Sequence, residues 1–439
     1  MRKVLGLGRV AIGCLASLAA WVSAQPSPDS VPVDGDDIGG VVMGPNGPEA
    51  GVWVIAETED LPTKFRKIVV TDDRGRYLLP DLPAANYLLW VRGYGLVDSP
   101  RVRSAPGRVV ALPAVIAPDA RAAAQVYPAN YWYSLIQLPS VDQFPGTGVN
   151  GNGIEAGVLT QHHWINTIKT GCNVCHQVGN LATRAFPPSL GKFESSYDAW
   201  DHRTQVGQDG TSMISTINGL GRRAVLTMYA NWTDRIAAGE VPPMPPRPQG
   251  IERTLVLTLW EWGGPATFAH DELSTDKRNP RANANGPIYA VDWGNDGFIT
   301  LDPNTNTATE VRIPVVDPTT PPGKPQVMPR PSPYWGSEPY WYDPAITNHA
   351  ALDSKGRVWM SSRFRRPENQ PDFCRNHPSA ALAPQGSSFR QVQYYDPKTK
   401  AFHPVNICFD THHVQFASDA DETLYGNGVF SGAIGWINT

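Results

Sequence analysis

Gly171-Cys172-Asn173-Val174-Cys175-His176 decides how the middle of this chain is built. Two thiols at this spacing can form thioethers with both vinyl groups of one haem. The adjacent histidine then lies beneath the iron as its proximal ligand. Two other chemistries use the same residues. A C-x-x-C redox disulfide sits at a helix start after a strand, and Thr167-Ile168-Lys169-Thr170 does not clearly supply that strand. Half of a zinc site needs a second close pair, and the next cysteine is the distant Cys374. The motif therefore predicts one covalent haem c held by Cys172 and Cys175, with His176 as the proximal iron ligand.

Downstream, Gly239-Glu240-Val241-Pro242-Pro243-Met244-Pro245-Pro246-Arg247-Pro248 presents a thioether from a stiff, extended loop, because its prolines forbid regular hydrogen bonding. Glu252 to Trp262 reads as a helix closed by Gly263-Gly264. Together with the haem motif this resembles the end of a small cytochrome c, in which a Met-Pro loop gives the distal ligand and a last helix packs on the first. The resemblance implies an α-helical cytochrome c-like domain over 161–268 with Met244 as the distal iron ligand. The alternative is a loop methionine packed on aromatics. Met213, Met228 and His202 are rival ligands. Leu220 to Ile236 carries a helical spacing of apolar residues. Arg184, Arg203 and Arg222 are either partners for haem propionates or solvated surface cations. His162 and His163 are expected to have a local structural role, and the sequon Asn231-Trp232-Thr233 is too short a match to weigh.

The chain start carries Arg2, Lys3 and Arg9, then the apolar run Val10 to Val22, then Val22-Ser23-Ala24. This pattern predicts a signal peptide over 1–24, cut after Ala24. An uncleaved anchor would want about 18 apolar residues or more, and Cys14 lies inside the run rather than at a lipoprotein cleavage site. No later stretch is apolar enough to span a bilayer, so the expected location is periplasmic or secreted, in a bacterium. Among 439 residues, 40 glycines and 42 prolines argue for many turns and against a helical bundle. The 42 aromatics (14 Trp, 15 Tyr and 13 Phe) argue against disorder. A net charge of −4 offers no basic surplus for nucleic acid.

Before the haem motif the texture is β. Short apolar runs at Gly39-Gly40-Val41-Val42, Gly51-Val52-Trp53-Val54, Thr71-Asp72-Asp73-Arg74-Gly75-Arg76-Tyr77 and Leu82-Pro83-Ala84-Ala85-Asn86-Tyr87-Leu88-Leu89 alternate with turns. Their order resembles the carboxypeptidase regulatory-like family over 37–118. That resemblance implies a β-sandwich of carbohydrate-binding type without catalytic residues, in which Thr71 and Asp72 shape a turn. Residues 119–160 read as a connector. Its run Gly146-Thr147-Gly148-Val149-Asn150-Gly151-Asn152-Gly153 lacks the Lys-Ser/Thr of a phosphate loop.

From about residue 275 two phrases recur. Leu301-Asp302-Pro303-Asn304-Thr305 is matched by Tyr395-Asp396-Pro397-Lys398-Thr399. His349-Ala350-Ala351-Leu352-Asp353-Ser354-Lys355-Gly356 is matched by His413-Val414-Gln415-Phe416-Ala417-Ser418-Asp419. Such repeats read as propeller blades with insertions, and they resemble the streptogramin lyase-like β-propellers over 275–439. Roughly 165 residues supply three or four blades at ~40–45 each, so an incomplete propeller in a truncated chain is expected. Cys374 and Cys408 are expected to close an inserted loop as a disulfide. His349 and His413 occupy matching positions, either as structural histidines bonded to backbone or in a catalytic or metal role.

The chain as a whole resembles exported bacterial proteins that join these three modules, giving a multidomain, mostly β protein. The favoured function is one-electron transfer through haem c with a redox partner protein or a small-molecule donor or acceptor. The sandwich and propeller would bind substrate or partner. A haem- or propeller-based oxidoreductase or lyase, with no catalytic residue assigned, is the second reading. A carbohydrate- or partner-binding protein is the third.

Overall fold

The computed structural model describes residues 31–173, 176–206, 210–264, 267–315, 345–365, 369–378, 390–428 and 432–439. The expected leader and Cys175 lie outside them. The chain is mostly β, with several separate sheets and its longer helices gathered in one region. Among the described residues no helix is long and apolar enough to cross a membrane.

The first ten strands are β1 (Ile38–Gly44), β2 (Gly47–Pro48), β3 (Trp53–Thr58), β4 (Lys64–Val70), β5 (Arg76–Leu79), β6 (Tyr87–Arg92), β7 (Leu96–Val97), β8 (Val102–Ser104), β9 (Arg108–Pro113) and β10 (Val115–Ile116). One sheet runs β2-β1-β5, with β9 parallel to β1, and a second holds β4-β3-β6-β8. Alternate residues of each strand point inward, as the period of two requires. They meet in one core that includes Ile38, Val42, Val54, Phe65, Tyr77, Leu79, Tyr87 and Leu89. Lys67 shares the inward face of β4, and its ammonium donates to the carbonyls of Pro80 (2.6 Å) and Asp81 (2.9 Å). Thr71 shapes a turn as expected. Its hydroxyl donates to Glu49 O (2.7 Å) and accepts from Val52 N (3.1 Å), while the Asp72 carboxylate accepts from Arg74 N and Arg76 N.

The second sheet has one more strand, and it corrects the sequence reading. After a single 3-10 turn at Gly250–Thr254, β11 (Val256–Glu261) is a strand rather than the expected closing helix. It pairs antiparallel with β4, Trp260 opposite Phe65 and Leu259 opposite Arg66. The reason is tertiary. The open edge of β4 offers an unsatisfied row of backbone groups, and Val-Leu-Thr-Leu-Trp fits a pleated surface at least as well as a helix. This two-sheet unit therefore takes residues from both sides of the C-x-x-C-H motif, and 161–268 is not one continuous domain.

Between those two parts lie α1 (Ala120–Ala124), α2 (Ala129–Tyr133), α3 (Gln161–Cys172), α4 (Leu181–Arg184), α5 (Ser196–Arg203), α6 (Gly210–Gly219) and α7 (Arg222–Ala237). The expected helix over Leu220 to Ile236 is α7. Trp164, Ile168, Trp200, Ile217, Leu226, Tyr229 and Trp232 form their core. Ile154 and Val158 belong to that core, with Leu135, Leu138 and Phe144 packed against it. The segment 119–160 is thus part of the helical unit rather than a connector. Its Gly/Asn run is a loop, closed by Thr147 and Asn152 hydrogen-bonding each other.

The C-terminal part is three consecutive antiparallel meanders. They are β12 (Ala269–Leu273), β13 (Ile288–Asp292), β14 (Gly297–Asp302) and β15 (Thr307–Arg312); then β16 (Asn348–Leu352), β17 (Val358–Ser362), β18 (Gln391–Asp396) and β19 (Ala401–Val405); then β20 (Val414–Phe416), β21 (Leu424–Asn427) and β22 (Ile434–Ile437). The two Asp-Pro-x-Thr phrases are equivalent hairpin turns, β14 to β15 and β18 to β19. In each the aspartate accepts from a backbone N–H two residues on, at 2.9 Å from Asn304 and 2.8 Å from Lys398. The first strands sit side by side, β12 beside β16 and β16 beside β20. Tyr289, Val291 and Phe298 pack on Leu352, Val358 and Met360, and Trp359 and Val392 pack on Val414, Phe416 and Leu424. Arg278 ties the first meander to the third, through Asp276, Glu422 (2.9 Å) and the Ala417 carbonyl (3.0 Å).

Cys374 and Cys408 form the expected disulfide, 34 residues apart in sequence. Its loss should lower stability by about 2–4 kcal/mol, mainly by freeing the unfolded chain. A Cys374→Ser, Cys408→Ser variant should therefore unfold at lower denaturant than the parent. Coincident unfolding curves would show that the bridge is energetically idle.

Candidate functional site

Helix α3 carries the first half of the C-x-x-C-H motif. Thr160 caps it, its hydroxyl accepting from His163 N at 3.0 Å. Trp164 and Ile168 turn one face into the core, and the Trp164 indole donates to Leu220 O at 2.7 Å. Cys172 is the last helical residue, and the chain then turns back so that His176 N donates to Cys172 O at 3.0 Å. The Asn173 carboxamide accepts from Val178 N at 3.1 Å and braces the turn. Gly171 costs helix stability, roughly 1 kcal/mol against alanine, but a Cβ there would stand 2.8 Å from the Thr216 side chain of α6. The glycine lets α6 close on α3.

Together these elements line a small, largely apolar cavity of about 80 Å³. Cys172 and His176 lie in its wall, with Trp200 from α5, Met213 and Ile217 from α6 and Tyr229 from α7. Trp200 and Tyr229 are stacked, ring centres 4.6 Å apart. The Tyr229 hydroxyl donates to Cys172 Sγ at 3.6 Å. Burial raises the Cys172 thiol pKa above its ordinary value, outweighing the Tyr229 hydrogen bond that favours the thiolate. Burial raises the Tyr229 phenol as well. A neutral thiol at the C-terminal, negative end of a helix is the reverse of the thiolate-stabilising site that redox C-x-x-C chemistry uses. A sulfur, an imidazole and a thioether around one apolar, aromatic cavity is a donor set that fits a covalently attached haem.

Met244 is elsewhere. It is 60% exposed, and its sulfur lies against Gly95 of the sandwich, 3.5 Å from where a Cβ on that glycine would be. Arg247 explains the placement, because its guanidinium donates to Tyr94 O (3.1 Å) and Ala50 O (3.2 Å) and pairs with Glu49. The proline-rich loop is thereby pinned to the sandwich instead of folding over the C-x-x-C-H motif, and Met244 is not brought to the cavity. Of its rivals, Met228 is buried in the helical core and His202 rests on Phe193, their ring centres 5.2 Å apart. Met213 lines the cavity.

Among the three arginines considered for propionates, only Arg203 lines the cavity; it donates to Ala185 O at 3.2 Å. Arg184 lies over Trp132, 4.2 Å from its ring centre, and Arg222 pairs with Asp201. Trp200 and Tyr229, the stacked pair of the wall, carry no sequence signal of their own, since aromatic residues on helices read as core.

His349 and His413 come together, ring centres 4.9 Å apart, and His412 joins them 4.2 Å from His413. His349 Nδ1 accepts from Val414 N at 3.2 Å, the backbone bond expected of a structural histidine.

No protein-family model matches this sequence, and no curated protein matches it.

Proposed function

We propose that this protein is an exported c-type cytochrome that carries one haem c and transfers single electrons. The carrying observation is that Cys172 and His176, the first thiol and the histidine of the C-x-x-C-H motif, line one apolar cavity together with Met213. In this reading the sulfurs of Cys172 and Cys175 would tether the haem, and the His176 imidazole and the Met213 thioether, rather than Met244, would hold its iron. A haem with His and Met ligands supplies reversible one-electron chemistry at a raised potential. Trp200, Ile217 and Tyr229 would keep water from the haem, and Arg203 would supply the cation of the wall. The two-sheet unit is read as a carboxypeptidase regulatory-like sandwich and the three meanders as propeller blades, for which the side-by-side first strands are the supporting geometry. Both then serve to bind a redox partner or a substrate.

The test is an optical spectrum of protein exported with the haem-attachment machinery, taken oxidised, reduced, and reduced under carbon monoxide. Covalent haem with a low-spin spectrum indifferent to carbon monoxide is the expected result. A spectrum that shifts with carbon monoxide would point to an open iron and an enzyme. Absence of covalent haem would remove the proposal altogether.

A further inference from the structure

Val54, Phe65 and Val69 fill the core of the two-sheet unit, so by the period of two their neighbours Trp53, Ile68 and Val70 lie on the opposite face of the sheet. Strand β11 adds Leu257 to that face, opposite Ile68. The proline-rich loop, which Arg247 pins to Glu49 and to the carbonyls of Ala50 and Tyr94, does not seal it. A groove of about 220 Å³ stays open, with Pro246, Pro248, Tyr94 and Glu252 in its lining beside those side chains. That is the volume of roughly seven waters.

Trp53 and Tyr94 meet nearly at a right angle, ring centres 4.9 Å apart and planes at 83°. Burial, with Tyr131 and Glu252 nearby adding to it, raises the Tyr94 phenol above its ordinary pKa, so that ring stays neutral. Other charges around the groove are matched. Arg247 pairs with Glu49, Arg253 with Asp73, and Arg92, opposite Trp53 on β6, with Asp98 at 2.7 Å. Glu252 differs from them. It is exposed, one carboxylate oxygen accepts from Gln249 N at 2.9 Å, and among the described residues it makes no ion pair. The groove therefore presents two aromatic rings, aliphatic walls and one uncompensated negative charge.

We propose that this groove binds a small organic cation, an alkylammonium whose charge is matched by Glu252 and whose carbon groups pack on Trp53 and Tyr94. An ammonium is attracted by the electron-rich face of an aromatic ring, most strongly where water is partly excluded. The carboxylate beside the rings adds Coulomb attraction for a cation and repels an anion. A bare metal ion is a poor fit, because one carboxylate among apolar walls cannot replace its shell of oxygen ligands. The stiff proline backbone and the Arg247 contacts hold the walls in place beforehand, so binding has little left to order. The site is separate from the cavity of Cys172 and His176 and does not depend on haem.

Full-length protein at neutral pH and low salt is titrated with choline chloride, followed by saturation-transfer NMR of the ligand. A parallel titration uses dimethylbutanol, the uncharged isostere in which carbon replaces the choline nitrogen. The expected result is saturable choline binding, at least tenfold tighter than that of the alcohol and weakened at least fivefold in Glu252→Gln and in Trp53→Leu. Glu252→Gln removes the charge but keeps an oxygen to accept from Gln249 N. Glu59→Gln, which deletes a carboxylate outside the groove, should bind choline as the parent does, and far-ultraviolet circular dichroism should confirm that every variant folds. No saturable choline binding, equal binding of choline and the alcohol, or a folded Glu252→Gln protein that holds choline as tightly as the parent overturns the proposal. The signal comes from the ligand, so loss of the haem reading would leave this result untouched.

Discussion

Met213→Ala should lower the reduction potential of the haem-loaded protein and open the iron to carbon monoxide. Met244→Ala should do neither. A thioether ligand stabilises the reduced iron, and axial ligands span roughly 0.8 V in all, so a fall on the order of 0.1–0.2 V is expected. Met213 is half-buried on α6 within the cavity that Cys172 and His176 line, whereas Met244 is on the sandwich. The two variants are each other's control, because both delete one thioether. Potentiometric titration with optical detection gives the potential, and carbon monoxide difference spectra report the open position. A Met244→Ala protein that binds carbon monoxide while Met213→Ala does not would reverse the assignment.

Trp232→Ala should have the largest effect on stability. Trp232 is fully buried in the helical core, and its indole donates to Trp132 O at 2.9 Å across a hundred residues of sequence. Removing a buried tryptophan costs about 3–5 kcal/mol through lost transfer energy and the cavity left behind. That is a large part of the 5–15 kcal/mol typical of a domain. The helical unit should melt first, losing helical circular dichroism at much lower denaturant. Trp232→Phe keeps most of the apolar volume and should recover more than half of the loss. A cost under about 1 kcal/mol for Trp232→Ala would mean that this core is not packed around it.

These effects rest on features that differ in how far the sequence displays them. The C-x-x-C-H motif is legible because it is local: six consecutive residues hold both thiols and the imidazole, and no distant partner is needed to find them. The strands of 38–116 are equally legible, since alternation of apolar residues and the Asp and Gly turns are properties of short segments. So are the paired Asp-Pro-x-Thr turns and the helix α7.

What failed were choices between distant partners. Val256 to Glu261 is apolar without a decisive period, and it became a strand because β4, far earlier in the chain, had an open edge. Met244 had the right side chain in the right kind of loop. Salt-bridging and hydrogen-bonding by Arg247 to Glu49, Ala50 and Tyr94 held that loop on the sandwich. The histidines of the meanders show the division most clearly. Sequence alone established that His349 and His413 occupy matching repeat positions, because a repeat is written in order along the chain. Only the tertiary structure, by laying β16 beside β20, decided that they and His412 share one place, since side chains from different strands meet through packing that no local pattern encodes.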